Sequence, residues 1–439
     1  MGRRAAAVVV GGALALVACG GPDEMRTISP GGDRSAHGLQ VGAGTLRAPV
    51  SLEASEAAAV VRATWGAGFA ALAANDEPAG AVVSPAGLVV ALAMLAEGAR
   101  GESAAAFDEA LGAAGDARTD AVSALLASLA RLDGDPAVVK ADDLPATPMV
   151  HVANQVVVDD DQRLAEPYLG RLMSGYGAGV LVTDLGSDAG KKDLDAWVKR
   201  HTGGLVDESA MQPDPALVVV LQNAITLAAA WEQPFDSAAT SDQEFTLPSG
   251  DEVFVPRMHA TGRWAYAERD GWRAVRLTYG ADLHADVLLP PPGSPGAGDP
   301  ALADPGAVAA LVAELDAAPP AEVLVGLPKL DLTSTTDLLD ALGRMGLGHL
   351  TSPATAGLHG LLVNPPGPPY VGQAVQQAVL KVDEEGTRAA AVTEIGVAAG
   401  SAPVTPPAEL LVDRPYLFVV GDSGSGLPLF LAAVRDPRG

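Results

Sequence analysis

The sequence predicts an α+β fold, one large domain in which several β-sheets pack against helices. Three observations carry that expectation. Helical apolar spacing fills residues 55–132, strand-like runs dominate residues 217–434, and no internal repeat divides the 439-residue chain. A length near 440 ordinarily suggests two or three domains. Here it is read as a single domain, 51–439, behind an export segment and a tether.

The export segment comes first. Residues 1–19 open with Arg3 and Arg4, run through an apolar stretch and end Leu16-Val17-Ala18-Cys19. That is a secretory layout, too short for a spanning helix of about 20 residues. Residues 1–18 resemble a bacterial lipoprotein signal, in which small residues precede a Cys that is diacylated and becomes the new N-terminus. The plainer alternative is a cut near Ala18 that leaves Cys19 a spare thiol. Losing Arg3 and Arg4 takes the net charge from -26 to -28. Acyl chains on Cys19 would hold this acidic protein at a membrane on the extracytoplasmic side, facing the cell surface or periplasm. Residues 19–50, with Gly20-Gly21-Pro22 and Gly31-Gly32, read as a flexible tether.

In the domain, Val60, Val61, Trp65, Phe69 and Leu72 mark a helix over 55–75. Gly66-Ala67-Gly68-Phe69-Ala70-Ala71 loosely copies a dinucleotide fingerprint, but a helix runs through it where the fingerprint needs a strand before it. A strand at 81–83 leads to Ser84-Pro85, an N-cap and first-turn pair, and an apolar helix through Leu88, Leu92 and Leu95 to Gly98. Helices follow at 102–111 and 121–132, then an Asp/Pro-rich connection at 133–147. A strand at 150–158, a helix at 164–176, a strand at 180–183 and a helix at 191–201 come next, with Gly203-Gly204 as the stop. Residues 217–231 form a long apolar run with β-branched Val218, Val219, Val220, Ile225 and Thr226, read as a buried central strand. Strands are expected at 252–258, 263–268, 272–279, 284–290, 322–332, 374–383, 416–420 and 427–434, with helices at 305–317 and 335–345.

Composition excludes several functions. A net charge of -26 argues against sequence-independent nucleic-acid binding and against docking on anionic lipid. One Cys allows no intrachain disulfide and no Cys-based zinc or iron–sulfur site, and the seven His form no HExxH pattern. No metal or cofactor is expected. With 18 aromatics and much Ala and Val, the core is built from small side chains.

Five blocks in order resemble the serpin family. They are Val83-Ser84-Pro85 with Ala91 to Leu95 and Gly98 to Ser103; Trp197-Val198 with Thr202 to Leu205; Asn223-Ala224-Ile225 through Trp231 to Phe235; Val382 to Ala391; and Val412 to Phe418 with Leu429-Phe430-Leu431. Together they cover roughly residues 55–437. The resemblance implies about nine helices around three β-sheets with an exposed reactive-centre loop near 385–406. It places Ser84, Asn223 and Gln376 in the shutter beneath the central sheet and Trp231 in the breach at its upper end. It makes Glu384, Glu385, Gly386, Thr387, Arg388, Ala389, Ala390 and Ala391 the hinge of the loop. Three departures stand out: Gly87 replaces the second shutter serine, Gln376 the shutter histidine, and Tyr416 the usual Phe.

The residues of the loop support a trap. A stretch of about thirty residues between Glu384 and Pro415 has little large apolar content, and such stretches are usually functional or disordered. The bland reading is a surface linker. Against it, Thr387, Ala389, Ala391, Thr393, Ile395 and Val397 would share one face of a strand, while Arg388 and Glu394 fall on the other. No Pro occurs from Gly386 to Ala402, although the chain has 34, so the segment can enter the middle of a sheet. Insertion of such a loop with release of strain is a general serpin device. The resemblance thus implies a monomeric suicide inhibitor, not an enzyme, whose partners are serine proteases caught as acyl-enzymes. Counting from Glu384 puts the scissile bond at Gly400-Ser401; counting back from Pro406-Pro407 moves it to Pro403-Val404. Ala399 and Ala402 are further candidates, and all are small residues that suit elastase-like or subtilisin-like proteases.

Two rival readings fit parts of the sequence. Gly421-Asp422-Ser423-Gly424 copies the letters around a trypsin-type nucleophile, but it sits between apolar runs as hairpin residues, with no disulfide framework and no His-containing motif beside it. The other rival is a non-inhibitory surface lipoprotein that keeps the fold as a binding or chaperone-like module.

Overall fold

The computed structural model describes residues 40–41, 50–141, 143–387 and 408–439. Cys19 and the signal lie outside the described residues, as do Arg388, Ala389, Ala390, Ala391, Ala399, Gly400, Ser401, Ala402, Pro403 and Val404. The described elements all lie in the second of two units, Ser35–Gly439.

The elements of the second unit begin with β1 (Gln40–Val41), α1 (Ala57–Leu72), β2 (Gly80–Val83), α2 (Pro85–Ala96), α3 (Glu102–Leu111), α4 (Gly115–Leu129), β3 (Met149–Asp159), α5 (Glu166–Tyr176), β4 (Gly179–Thr183), α6 (Asp188–His201) and β5 (Val219–Ala230). There follow β6 (Ser241–Thr246), β7 (Glu252–Arg269), β8 (Trp272–Gly280), β9 (Leu283–Leu289), α7 (Pro295–Gly298), α8 (Pro305–Ala317), β10 (Ala321–Pro328), β11 (Leu330–Asp337) and α9 (Leu339–Arg344). The chain closes with β12 (Val375–Val382), β13 (Gly386–Thr387), β14 (Ala408–Leu411), β15 (Tyr416–Asp422) and β16 (Leu427–Val434).

Local chemistry accounts for the central helix. The Ser84 hydroxyl caps α2 by accepting from Gly87 N and donates to Leu429 O at 2.8 Å, and Pro85 takes the first helical position. Almost all of α2 is buried, because the sheet covers one side of it and α1, α3 and β16 cover the others. Such a helix needs apolar residues all round rather than one stripe.

Two pairing systems follow. The central sheet has the order β1-β4-β3-β5-β13-β12-β11, and a second path runs β14-β10-β7-β8-β9-β15-β16-β2 with β6 beside β7. The long β7 explains why the expected second and third sheets are joined. Residues 257–264 pair with β10, and residues 265–269 pair with β8. The two separate strands expected at 252–258 and 263–268 are thus one strand that passes between sheets.

Other boundaries also differ. The strand expected at 322–332 is two strands separated at Lys329, and residues 335–337 extend β11 instead of opening the helix. Pairing of Thr335 with Gln377 and Thr336 with Gln376 overrides the helical spacing there. β6 was missed because its Ser-Asp-Gln-Glu stretch is polar, as suits a mostly exposed edge. β1 lies inside the stretch read as tether and pairs with β4, which makes β1 the outermost strand of the central sheet.

The fully buried Tyr416 has a hydroxyl with no hydrogen-bond partner. Stranding a buried donor costs about 1–3 kcal/mol. Tyr416→Phe is expected to stabilise the protein by about 1 kcal/mol in urea denaturation; a loss of stability would show that the hydroxyl is satisfied.

Candidate functional site: a slot in the central sheet

Strand β5 is sandwiched, and its residues alternate between two covers. Asn223 and Ile225 face the α2 side, where Ile225 lines a small space with Val60, Thr64 and Val89. Gln222 and Thr226 face α6, donating to Leu194 O and His201 O. Both faces of this strand are therefore occupied, as its apolar run predicted.

Its neighbour on the far side is the unusual feature. β13 is antiparallel to both β5 and β12, so β5 and β12 run parallel to each other, but among the described residues no ladder joins them. Below the two residues of β13 lies a slot of about 620 Å³, bounded by residues such as Leu88, Asn223, Ile225, Gln376 and Ala378. The sheet is split in two except at its upper end.

That upper end gathers the residues assigned to breach and hinge. Trp231 donates its indole N–H to Asp383 O at 2.9 Å and stacks on Tyr279 at 4.3 Å. The Trp231 and Phe235 amides donate to Glu385 O and Glu384 O, both at 2.8 Å. Glu384 is tied to Lys329 at 2.7 Å and to the Thr240 hydroxyl at 2.8 Å. Burial works to raise its pKa, yet Lys329 and Thr240 keep the carboxyl below its usual range. Gly386 pairs with Ala230, and Thr387 with Ala229 on one side and Val382 on the other. A Cβ at Gly386 would lie 2.2 Å from Ala229 O, so only glycine fits. Thr387 is buried and its hydroxyl bonds the phenol of Tyr279. Tyr279 and Lys329 were not picked out from the sequence, since nothing in a strand-like run says which face meets the hinge.

Lower down, the shutter residues meet α2 from both sides of the slot. Gln376 accepts from Ser84 N and donates to Ser84 O, each at 2.9 Å. Asn223 donates to Asn154 Oδ1 at 2.8 Å, and a Cβ on Gly87 would meet Asn223 Oδ1 at 2.4 Å. Gly87 thus leaves room for the Asn223 amide, and Gln376 makes a two-point clamp on the backbone of Ser84.

The outer face carries a histidine pair. His151 Nδ1 lies 2.8 Å from Asp133 Oδ1, and His151 Nε2 lies 2.9 Å from His201 Nδ1, at the C-terminal end of α6. Burial, with help from His151 and Arg200 against Asp133, holds His201 down to about 4. An unfolded His titrates near 6.5, so between pH 6.5 and 4 the unfolded chain binds more protons. The His201 contribution to stability is then complete above pH 6.5 and is lost as pH falls toward 4. Melts at pH 7 and 4.5 should show a smaller fall in Tm for His201→Gln than for the wild type; equal falls would contradict this.

The Gly421-Asp422-Ser423-Gly424 turn requires a correction. A histidine does accompany it: His284 Nδ1 lies 2.7 Å from Ser423 Oγ. The two meet because β9 pairs with β15, a contact that one-dimensional reading cannot show. A relay does not follow, since Asp286 is 3.5 Å from His284 and is clamped by Arg276 at 2.7 and 2.8 Å. Burial also holds His284 below its ordinary pKa.

The sequence and the fold are similar to those of known proteins. The family profile described as "Serpin (serine protease inhibitor)" matches residues 68–437. A "Serine protease inhibitor" of Cyanea capillata is 26% identical over 81% of this chain and 92% of its own length. A "Leukocyte elastase inhibitor" of Bos taurus is 28% identical over 83% of this chain and 95% of its own. Among solved structures, the native state of the thermophilic serpin tengpin superposes with a TM-score of 0.74 at 20% identity, covering 91% of this chain and 99% of that one. With the family profile spanning most of the domain and the split central sheet in place, this chain belongs to the serpin family.

Proposed function

We propose that the protein is a suicide-type inhibitor of serine proteases that traps the acyl-enzyme by drawing its cleaved loop into the slot between β5 and β12. The observation that carries this reading is the seating of Gly386 and Thr387 at the head of an otherwise open slot. Residues 388–397 continue the same two-sided pattern, with small or aliphatic side chains on the face that would meet α2. In the reaction, the protease serine attacks the carbonyl of the scissile residue, Gly400 in the first register. Its acyl-enzyme forms as the amine of Ser401 leaves. Insertion then carries the attached protease along the sheet, and distortion of its oxyanion hole stops water from completing hydrolysis.

Small residues from Val397 to Ala402 favour elastase-like or subtilisin-like targets, and a relative named for leukocyte elastase supports that choice. We propose as well that Cys19 is lipidated and holds the inhibitor at an extracytoplasmic membrane surface. Incubation with subtilisin or pancreatic elastase is expected to give an adduct that survives SDS. Cleaved protein without adduct would overturn the inhibitory reading.

A further inference from the structure

The slot is sealed on one face by α2, so a strand can enter it only from the face that carries α6. That face is crossed by a strap, residues 202–218, which returns from α6 to β5 and lines the slot through Val206, Ser209, Ala210 and Met211. On the α6 side the strap is fixed by Ser209 N donating to Asp195 Oδ1 at 2.7 Å and by Asp214 N donating to Leu185 O at 3.1 Å. On the other side it reaches over to β12 and the segment that leads into it. Ala210 N donates to Gln377 Oε1 at 2.7 Å, Gln212 N donates to Gln373 Oε1 at 3.0 Å, and Gln373 Nε2 returns a bond to Gln212 O at 3.1 Å. Gln377 lies on β12 and points to the face opposite to Gln376, which holds Ser84. Gln373 lies two residues before β12 begins, and its paired bonds with Gln212 put it on the strap side as well.

We infer that Gln373 and Gln377 are positioning residues that tie the strap across the slot and set the rate at which the loop completes its insertion. The inference rests on the inhibitory reading above and adds which residues regulate that site. The register fixed by Thr387 opposite Val382 brings position 392 beside Gln377 and position 396 beside Gln373. The first inserted residues therefore pass above the strap, and the later ones arrive where the ties stand. A chain entering from the α6 face has to cross the line between strap and β12, so all three bonds open before it can seat. They stabilise the starting state and are absent during passage, which makes them a brake.

The test uses the full-length protein and subtilisin, with Gln373→Ala/Gln377→Ala beside the wild type. Two quantities are read: the rate of the tryptophan fluorescence change that follows loop cleavage by excess protease, and the ratio of adduct to cleaved inhibitor on a denaturing gel. The double variant is expected to insert about tenfold faster, equivalent to about 1.4 kcal/mol, and to shift the ratio toward adduct. Gln377→Glu keeps an acceptor for Ala210 N and is expected to stay near the wild-type rate. A double variant that melts lower but inserts and partitions like the wild type would show that the amides only support the fold, and would overturn the brake while leaving the trap intact. A wild type that gives neither adduct nor a fluorescence change would overturn the trap and the brake together.

Discussion

Replacing Thr387 by Arg is expected to turn the protein from an inhibitor into a substrate, with adduct lost and cleavage of the loop retained. Thr387 is the deepest described residue of the hinge: it is buried, flanked by Ala229 and Val382, and its hydroxyl is bonded to Tyr279 beneath the Trp231 ring. A guanidinium there meets the rings of Tyr279 and Trp231 and the apolar Ala229 and Val382. After relaxation, an unpaired buried charge costs several kcal/mol, so the guanidinium is expelled from the head of the slot in the intact protein, and about 4 kcal/mol to seat it again during insertion slows that step about a thousandfold. Deacylation then wins the race, and the protease leaves intact. Arg388 makes the control. By strand alternation from Thr387 an inserted Arg388 would fall on the α6 face, so Arg388→Ala should trap protease as well as the wild type. Gel partition of adduct against cleaved product checks both variants; adduct formed normally by Thr387→Arg would sink the argument.

Cleavage of the wild-type loop is expected to raise Tm by at least about 10 °C, which is several kcal/mol or more for a domain of this size. Before cleavage the loop is anchored at both ends, by β13 in the central sheet and by β14 in parallel pairing with β10. It cannot fill the slot while both anchors hold. Cutting it would free the upstream arm, whose residues would gain ladder bonds to β5 and to β12 and bury alternate side chains against α2. The two halves of the sheet become one. A nicked protein that melts at or below the intact one has not inserted its loop.

Much of the fold was legible because long elements announce themselves. Residues 217–231 read as a buried central strand from their continuous apolar run, and β5 is that strand. α3 was read over residues 102–111 and is observed there. Short or polar elements were not legible: β6 has no apolar alternation over its first residues, and β13 is two residues whose strand character comes entirely from their neighbours. The site divided in the same way. Trp231, Gln376 and the Glu384–Thr387 segment could be placed through a family resemblance, but Tyr279, Lys329, Gln373 and Gln377 could not. Their contacts come from which face they present and from chain segments 55 to 167 residues away in sequence. The meeting of His284 with Ser423 has the same origin, 139 residues apart.

The central claim is that the cleaved loop becomes a strand between β5 and β12, and a crystal structure of the loop-cleaved protein tests it most directly. The observed pairing of Thr387 with Ala229 and Val382 fixes the register of any continuation. Ala391 should lie between Ile225 and Ala378, and Thr393 between Asn223 and Gln376. The slot should be filled, with Arg388 and Glu394 on the α6 face. A cleaved structure in which β5 and β12 still flank an open slot, with the freed arm outside the sheet, would contradict the account.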